Sequence, residues 1–322
     1  MKPRVLVGRR LPGGALDRLR RIADVDVWEG DLPAPPDTFA ERAVSAIGLI
    51  TLLTDRVDSA LLDRCPEVRV VANFAVGYDN FDLAELTRRG IPASNTPGVL
   101  TEATADLTFG LLLATSRKIV AGRDAVRAGK WKTWEPSGWL GLELSGATLG
   151  IIGMGQIGRA VARRAASFQM HVLGSDVRPF DVPGVEHVEL PELLARSDIV
   201  TLHCELTPQS RHLIGEDQLH QMKPSAILIN ASRGPIVDQR ALAAALREGT
   251  IAAAGLDVTD PEPIAPDDEL LALENCLVVP HIGSATLHTR SRMADIAVDN
   301  MIAGLNGERL PNCLNPEVYA TR

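Results

Sequence analysis

The feature that most constrains this chain is a glycine loop set between two different kinds of element. Leu149-Gly150-Ile151-Ile152 is a short apolar run that leads directly into Gly153-Met154-Gly155-Gln156-Ile157-Gly158, and Ile157 to Ala166 has helical composition. A GxGxxG pattern alone is a weak signal. A strand before it and a helix after it give each glycine a separate role. Gly153 permits the tight turn, Gly155 leaves bare backbone that a pyrophosphate can approach, and Gly158 permits close packing of helix on strand. The open amides and positive helix end at Gln156 and Ile157 then receive phosphate charge.

The same pattern asks for an acid about 20 residues further on, closing the next strand. Asp176 stands there, after Val172-Leu173-Gly174-Ser175. Its charge would repel a 2′-phosphate, which favours NAD(H) as the cofactor. Arg178 leaves NADP(H) open, because a guanidinium close by can hold that phosphate.

The rest of the chain repeats the alternation of short Val/Ile/Leu runs with longer helical segments, which predicts βαβ units and parallel sheets. Arg4 to Val7, Val25 to Trp28, Ile47 to Ile50 and Val68 to Val71 form a first series, with a helix at Val57 to Leu62. Asn95-Thr96-Pro97-Gly98 interrupts it. A long helix is expected from Thr101 to about Arg127, with Thr101 as N-cap and an apolar face of Leu107, Leu111 and Ala114. A loop with three of the four tryptophans follows, Lys130 to Trp139; packing on a partner subunit and covering a domain of its own chain are equally compatible with it. A second series runs through His171 to Leu173, the weaker Val185 to Glu189, Ile199 to Leu202, Ala226 to Asn230, Ala253 to Leu256 and Leu277 to Val279, and a last helix spans about Thr289 to Leu305.

Bulk properties exclude several function classes. A chain of 322 residues, 45% hydrophobic and 23% charged, has the composition of a globular protein of about two domains, not a disordered one. A net charge of -8 argues against a nucleic-acid or anionic-membrane surface. Cys65, Cys204, Cys276 and Cys313 include no CxxC pair, the histidines show no HxxxH spacing, and no metal is expected. With no signal region and no run of 18 apolar residues, the expectation is a soluble cytoplasmic protein.

Three residues past strand ends are candidates for chemistry, because open α/β sheets bind ligands at that edge. Arg233 follows the Ile227 run, and its fork can bind a carboxylate through two parallel bonds. Glu262 lies between Pro261 and Pro263, which stiffen its loop. His281 follows Val279-Pro280. A lone histidine at a strand end is more often structural, but an acid, a histidine and an arginine at one sheet edge change that balance. A Glu–His pair moves protons, since the carboxylate orients the imidazole and stabilises its charged form.

Together these residues resemble the D-isomer-specific 2-hydroxyacid dehydrogenase family over essentially the whole chain. The carriers are Val76-Gly77-Tyr78-Asp79-Asn80, the GMGQIG loop, Asn230 to Gly234, Gly255 to Pro263 and Pro280-His281-Ile282-Gly283. The likeness is nearest to the glyoxylate/hydroxypyruvate reductase branch, on Asn73 to Asn80, Asn95 to Asp106 and Ala254 to Pro263. Many members have an aromatic residue where Thr259 stands, so the pocket floor is expected to differ.

The resemblance implies two doubly wound α/β domains, with a Rossmann cofactor domain (100–287) inserted into a flavodoxin-like substrate domain (1–99 and 288–322), and an active site in the cleft. It implies a homodimer through the long helix and the tryptophan loop. Arg233, Glu262 and His281 become the catalytic set, the amides of Val76 and Gly77 hold the substrate carboxylate with Leu53 nearby, and Asp257 and Gly283 join the cofactor contacts. The chain is expected to leave no room for the regulatory domain of related phosphoglycerate dehydrogenases. Phosphite dehydrogenases carry a lysine at the position of Val76, which counts against that activity. The implied reaction is reduction of a small 2-keto acid, glyoxylate or hydroxypyruvate. The alternative is a non-catalytic NAD(H)-sensing interaction protein, since some relatives of this fold are co-repressors.

Overall fold

Two parallel sheets organise residues 1–320, the part of the chain that the computed structural model describes. By contact density the chain forms two units, Met1–Leu100 with the segment from Ala285 onward, and Thr101–Ser284. The borders expected from the sequence lie at 99/100 and 287/288.

The first run supplies β1 (Arg4–Val7), α1 (Ala15–Ile22), β2 (Asp24–Val27), α2 (Pro36–Ala43), β3 (Gly48–Thr51), α3 (Ser59–Arg64), β4 (Val70–Asn73), α4 (Leu83–Arg88) and β5 (Ala93–Ser94). The strand order β2-β1-β3-β4-β5 is the flavodoxin-like one. All four residues of β3 and of β4 are buried, as parallel strands covered on both faces require. The helix expected at Val57 to Leu62 begins two residues later. Asp58 caps it by accepting from the Leu61 amide, and Val57 pairs instead with Phe81.

The second unit opens with α5 (Thr101–Ser116) and α6 (Ile119–Arg127), so the single long helix expected there is two. Leu142 N donates to the Ser116 carbonyl, and Lys118 takes a left-handed φ of 52°. A carbonyl captured by the 140–144 loop no longer continues the helix. Thr101 is the first helical residue rather than the cap, and its hydroxyl bonds Gln156 Oε1 at 3.2 Å. The buried residues of α5 extend beyond the stripe read from sequence, to Thr104, Ala105, Thr108, Phe109 and Leu112, while Leu107 and Ala114 are only partly covered.

The unit continues with β6 (Thr148–Ile152), α7 (Gln156–Ser167), β7 (His171–Ser175), β8 (Val185–His187), α8 (Leu190–Arg196), β9 (Ile199–Leu202), α9 (Glu216–Gln221), β10 (Ile227–Asn230), α10 (Gln239–Glu248), β11 (Ala253–Leu256) and β12 (Cys276–Val278). The order β12-β11-β10-β9-β6-β7-β8 reverses direction between β6 and β9, which is the Rossmann arrangement and its ligand-binding switch point. Local chemistry explains the elements. In α10, Asp238 accepts from the Arg240 and Ala241 amides, Leu242, Ala243, Ala245 and Leu246 form the buried face, and Gly249 ends the helix at φ 75°.

The chain then returns to the first unit as α11 (Leu287–Leu305), capped by Thr286. Its Ala294, Ala297, Val298 and Met301 are buried in the core built by β1, β3 and β4. The fit is close: a Cβ on Gly48 would meet Met301 Sδ, and one on Gly304 would meet Val70 Cγ2, each at 2.4 Å.

Candidate active site

The glycine loop follows β6 at the switch point, and its glycines differ in what surrounds them. Gly153 sits at φ 97°, and a Cβ there would strike the His203–Cys204 backbone at 2.5–2.8 Å. A Cβ on Gly158 would lie 2.1 Å from the Gly153 carbonyl oxygen, so this glycine lets the helix approach its own loop. Around Gly155 nothing stands within 4 Å of a Cβ, and no side chain caps the first amides of α7, which begins at Gln156 and Ile157. Open backbone at an uncapped helix start suits a pyrophosphate.

Asp176 closes β7 and reaches back to this loop. One oxygen accepts from the Met154 amide at 2.7 Å and the other from the Arg178 amide at 2.8 Å, and its side chain is 9% exposed. The Arg178 guanidinium lies 3.8 Å away and is largely exposed. The loop and its acid therefore form one rigid piece that fits a dinucleotide.

Arg233, Glu262 and His281 follow β10, β11 and β12, three neighbouring strands of the same sheet. At about 4.8 Å per strand spacing, their loops leave the sheet within roughly 10 Å of one another. His281 Nδ1 meets Glu262 Oε1 at 2.5 Å. His281 itself stands at a left-handed φ of 50°, where a residue with a side chain is held only by its surroundings. Those surroundings are Asp257, whose backbone carbonyl accepts from the His281 amide at 3.0 Å and whose carboxylate accepts from the Ile282 and Gly283 amides at 2.6 and 2.9 Å. Burial pushes the Asp257 carboxyl upward, opposed by the Ile282 amide and by His281.

The Glu262 loop is fastened at several points. Gln239 Oε1 accepts from the Asp260 amide while its Nε2 donates to Asp268, and Thr259 Oγ1 donates to the Pro261 carbonyl. Both peptide bonds preceding Pro261 and Pro263 are cis. Arg233 is half-buried, with its backbone carbonyl held by Asn230 Nδ2 at 2.9 Å and its Nη1 donating to the Ser232 carbonyl. The next residue, Gly234, lies so near the Thr259 backbone that a Cβ would be 1.9 Å from the Thr259 oxygen. This contact sets the Arg233 loop against the Glu262 loop.

Leu53, Val76 and Gly77 belong to the first unit, on the loops after β3 and β4, which are neighbours at the C-terminal edge of that sheet. All three are partly exposed. Sequence reasoning missed Gln239, Gly234 and the clamping role of Asp257. The Arg-Gly pair was visible, but the loop that demands the glycine lies 25 residues further along the chain. His203, just past β9, is one of the histidines that the sequence offers no company for. Its Nδ1 is buried without a partner, its Nε2 is 3.0 Å from Thr201 Oγ1, and burial holds its pKa down to about 3. Among the described residues no cluster of His, Cys, Asp or Glu could hold a metal, and no helix is long and apolar enough to cross a membrane.

Comparison with known proteins bears on this arrangement. Residues 109–283 match the family model for the D-isomer specific 2-hydroxyacid dehydrogenase NAD binding domain. A glyoxylate reductase of Korarchaeum cryptofilum is 50% identical over 100% of this chain and 98% of that protein. A crystal structure of a Thermus thermophilus protein superposes with a TM-score of 0.93 at 49% identity, covering 97% of this chain and 99% of the other. An NADPH-dependent glyoxylate/hydroxypyruvate reductase of Sinorhizobium meliloti, solved with NADP and malonate, gives a TM-score of 0.87 at 32% identity, covering 98% and 97% of the two chains.

Proposed function

The chain belongs to the D-isomer specific 2-hydroxyacid dehydrogenase family, and from that premise we propose that it reduces glyoxylate, hydroxypyruvate or both, with Arg233, Glu262 and His281 as its catalytic residues. The enzyme is a D-2-hydroxyacid dehydrogenase using a nicotinamide cofactor, and keto-acid reduction is the activity its relatives carry. The observation that carries the residue assignment is the 2.5 Å contact of His281 Nδ1 with Glu262 Oε1 on a loop fixed by Asp257.

When bound, the reduced nicotinamide supplies the hydride that C2 of the keto acid accepts. The protein's part is proton delivery and charge placement. Glu262 engages Nδ1 of the His281 imidazolium, so Nε2 is the nitrogen that gives its proton to the carbonyl oxygen as negative charge develops there. The neutral ring that remains keeps Nδ1–H on Glu262. Arg233 and the amides of Val76 and Gly77 hold the carboxylate, and Leu53 borders it. Gly153, Gly155, Gln156, Ile157 and Gly158 would hold the cofactor's pyrophosphate, and Asp257 and Gly283 would add further contacts to it. Asp176 makes NAD(H) the preferred form, because a 2′-phosphate would face a carboxylate already locked in place.

The assignment is tested with NADH- and NADPH-oxidation assays across glyoxylate, hydroxypyruvate, pyruvate and phosphonooxypyruvate. The expected result is turnover of the first two with NADH ahead. A tenfold preference for NADPH would overturn the reading of Asp176. His281→Asn should lower glyoxylate reduction by about 10²–10⁴-fold, the usual contribution of acid catalysis. Loss of less than tenfold would remove His281 from that role.

A further inference from the structure

Behind Val76 and Gly77 stands an arrangement that the assignment of those two amides leaves unused. Three consecutive carbonyls are each taken by a donor. Ala75 O accepts from the Thr96 amide at 2.8 Å, Val76 O from Asn95 Nδ2 at 2.7 Å and Gly77 O from Asn73 Nδ2 at 2.9 Å. In a trans peptide the C=O and the N–H that follows it point to opposite sides of one plane. Fixing these carbonyls therefore aims the N–H groups of Val76, Gly77 and Tyr78 away from Thr96, Asn95 and Asn73. None of the three donates to a backbone acceptor among the described residues. Both asparagines are buried, Asn73 fully and Asn95 at 8% exposure.

The same network fastens the neighbouring loop. Asn73 Nδ2 also donates to Asn80 Oδ1 at 3.0 Å, and Asn80 Nδ2 donates to the carbonyls of Leu52 and Asp55 at 3.0 and 2.9 Å. Thr51 Oγ1 completes it on Asn73 Oδ1 at 3.1 Å. The backbone on either side of Leu53 is thus tied through Asn80 to Asn73, the same side chain that holds the Gly77 carbonyl.

We propose that Asn95 is a positioning residue for substrate recognition: by holding Val76 O it locks the Val76–Gly77 peptide with the Gly77 amide turned toward a substrate carboxylate. This rests on the reading above that the Val76 and Gly77 amides take that carboxylate. Hydrogen bonds from fixed donors to an anion are strong because the donors need not reorient at the moment of binding. Without the Asn95 amide the peptide is free to rotate, and its buried carbonyl loses its donor.

The test is Asn95→Ala in the full-length enzyme, with Asn95→Leu as a second variant that keeps the branched shape but carries no donor. Four quantities are compared: kcat and KM for glyoxylate, the dissociation constant of oxamate from the cofactor-saturated enzyme, and the dissociation constant of NADH. The expected result is a rise of about tenfold or more in KM, matched by the oxamate constant. kcat should stay within about threefold and NADH affinity should be unchanged. Asn95→Ser, which keeps a donor, should recover part of the loss. Unchanged KM and oxamate binding would overturn the proposal, as would a parallel fall in NADH affinity. Failure of both Asn95→Ala and Asn95→Leu to fold would assign Asn95 to stability alone and overturn it equally. If the wild-type enzyme reduces no 2-keto acid, it is the function reading that fails, which the wild-type assay reveals before any variant is made.

Discussion

His203 shows how burial turns a side chain into a pH-dependent stability element. The residue is half-buried, but its Nδ1 is sealed from water with no partner, so a proton added there in the folded state has nothing to solvate its charge. Burial accordingly lowers its pKa to about 3, whereas an unfolded histidine titrates near 6.5. Between those values the unfolded chain binds a proton that the folded chain refuses. Stability is therefore complete above about pH 6.5 and falls as the pH drops below it. From pH 7 to pH 5 this one group should cost about 1–2 kcal/mol. Urea unfolding at both pH values should show that difference in the wild type and a smaller one in His203→Phe. Equal acid sensitivity in the two proteins would contradict the account.

Gly234 carries the corresponding argument for elements. The loop after β10 and the loop after β11 touch backbone to backbone, and only a residue without Cβ fits between the 3-10 turn Gly234–Ile236 and Thr259. Gly234→Ala places a carbon 1.9 Å from a carbonyl oxygen that has no flexible way to retreat. Overpacking of this kind costs about 1–3 kcal/mol or more, and here it displaces Arg233 relative to Glu262. The expectation is at least a hundredfold loss of kcat/KM for glyoxylate with a lowered Tm and NADH binding retained, since the GMGQIG loop is elsewhere on the sheet. Activity within threefold of wild type would show that the two loops are not rigidly coupled. The split of α5 from α6 follows the same logic: helix formers run from Thr101 to Arg127, and the break at Lys118 comes from Leu142 capturing the Ser116 carbonyl.

For the whole molecule, the informative feature is the set of large apolar side chains left exposed. Trp131, Trp134, Trp139 and Leu140 are 51–78% exposed, and Ile119, Val120 and Val126 of α6 are exposed as well. Large apolar side chains left in water are what an association surface presents, and the homodimer expected from the sequence would cover them. Sedimentation should give twice the 34.6 kDa chain mass, and the double variant Ile119→Glu, Trp134→Glu should sediment as a monomer. A monomeric wild type would refute that expectation.

What the sequence by itself determined is whatever depends on neighbours along the chain. The period of apolar residues marked most of the strands, the spacing of Gly153, Gly155, Gly158 and Asp176 marked the phosphate loop, and the positions of Arg233, Glu262 and His281 past three strand ends marked the candidate chemistry. The two-residue β5 escaped because it is too short to show a period. Tertiary structure decided what depends on contacts across the chain: that Asp176 bonds the Met154 amide, that Asp257 fixes His281, that Gly234 answers to Thr259, and that Asn95 and Asn73 hold the Val76 and Gly77 carbonyls. The GMGQIG loop is legible because its requirement is local to a strand, a turn and a helix. The asparagines are not, because a side-chain amide declares its partner only once distant backbone has been brought within hydrogen-bond reach.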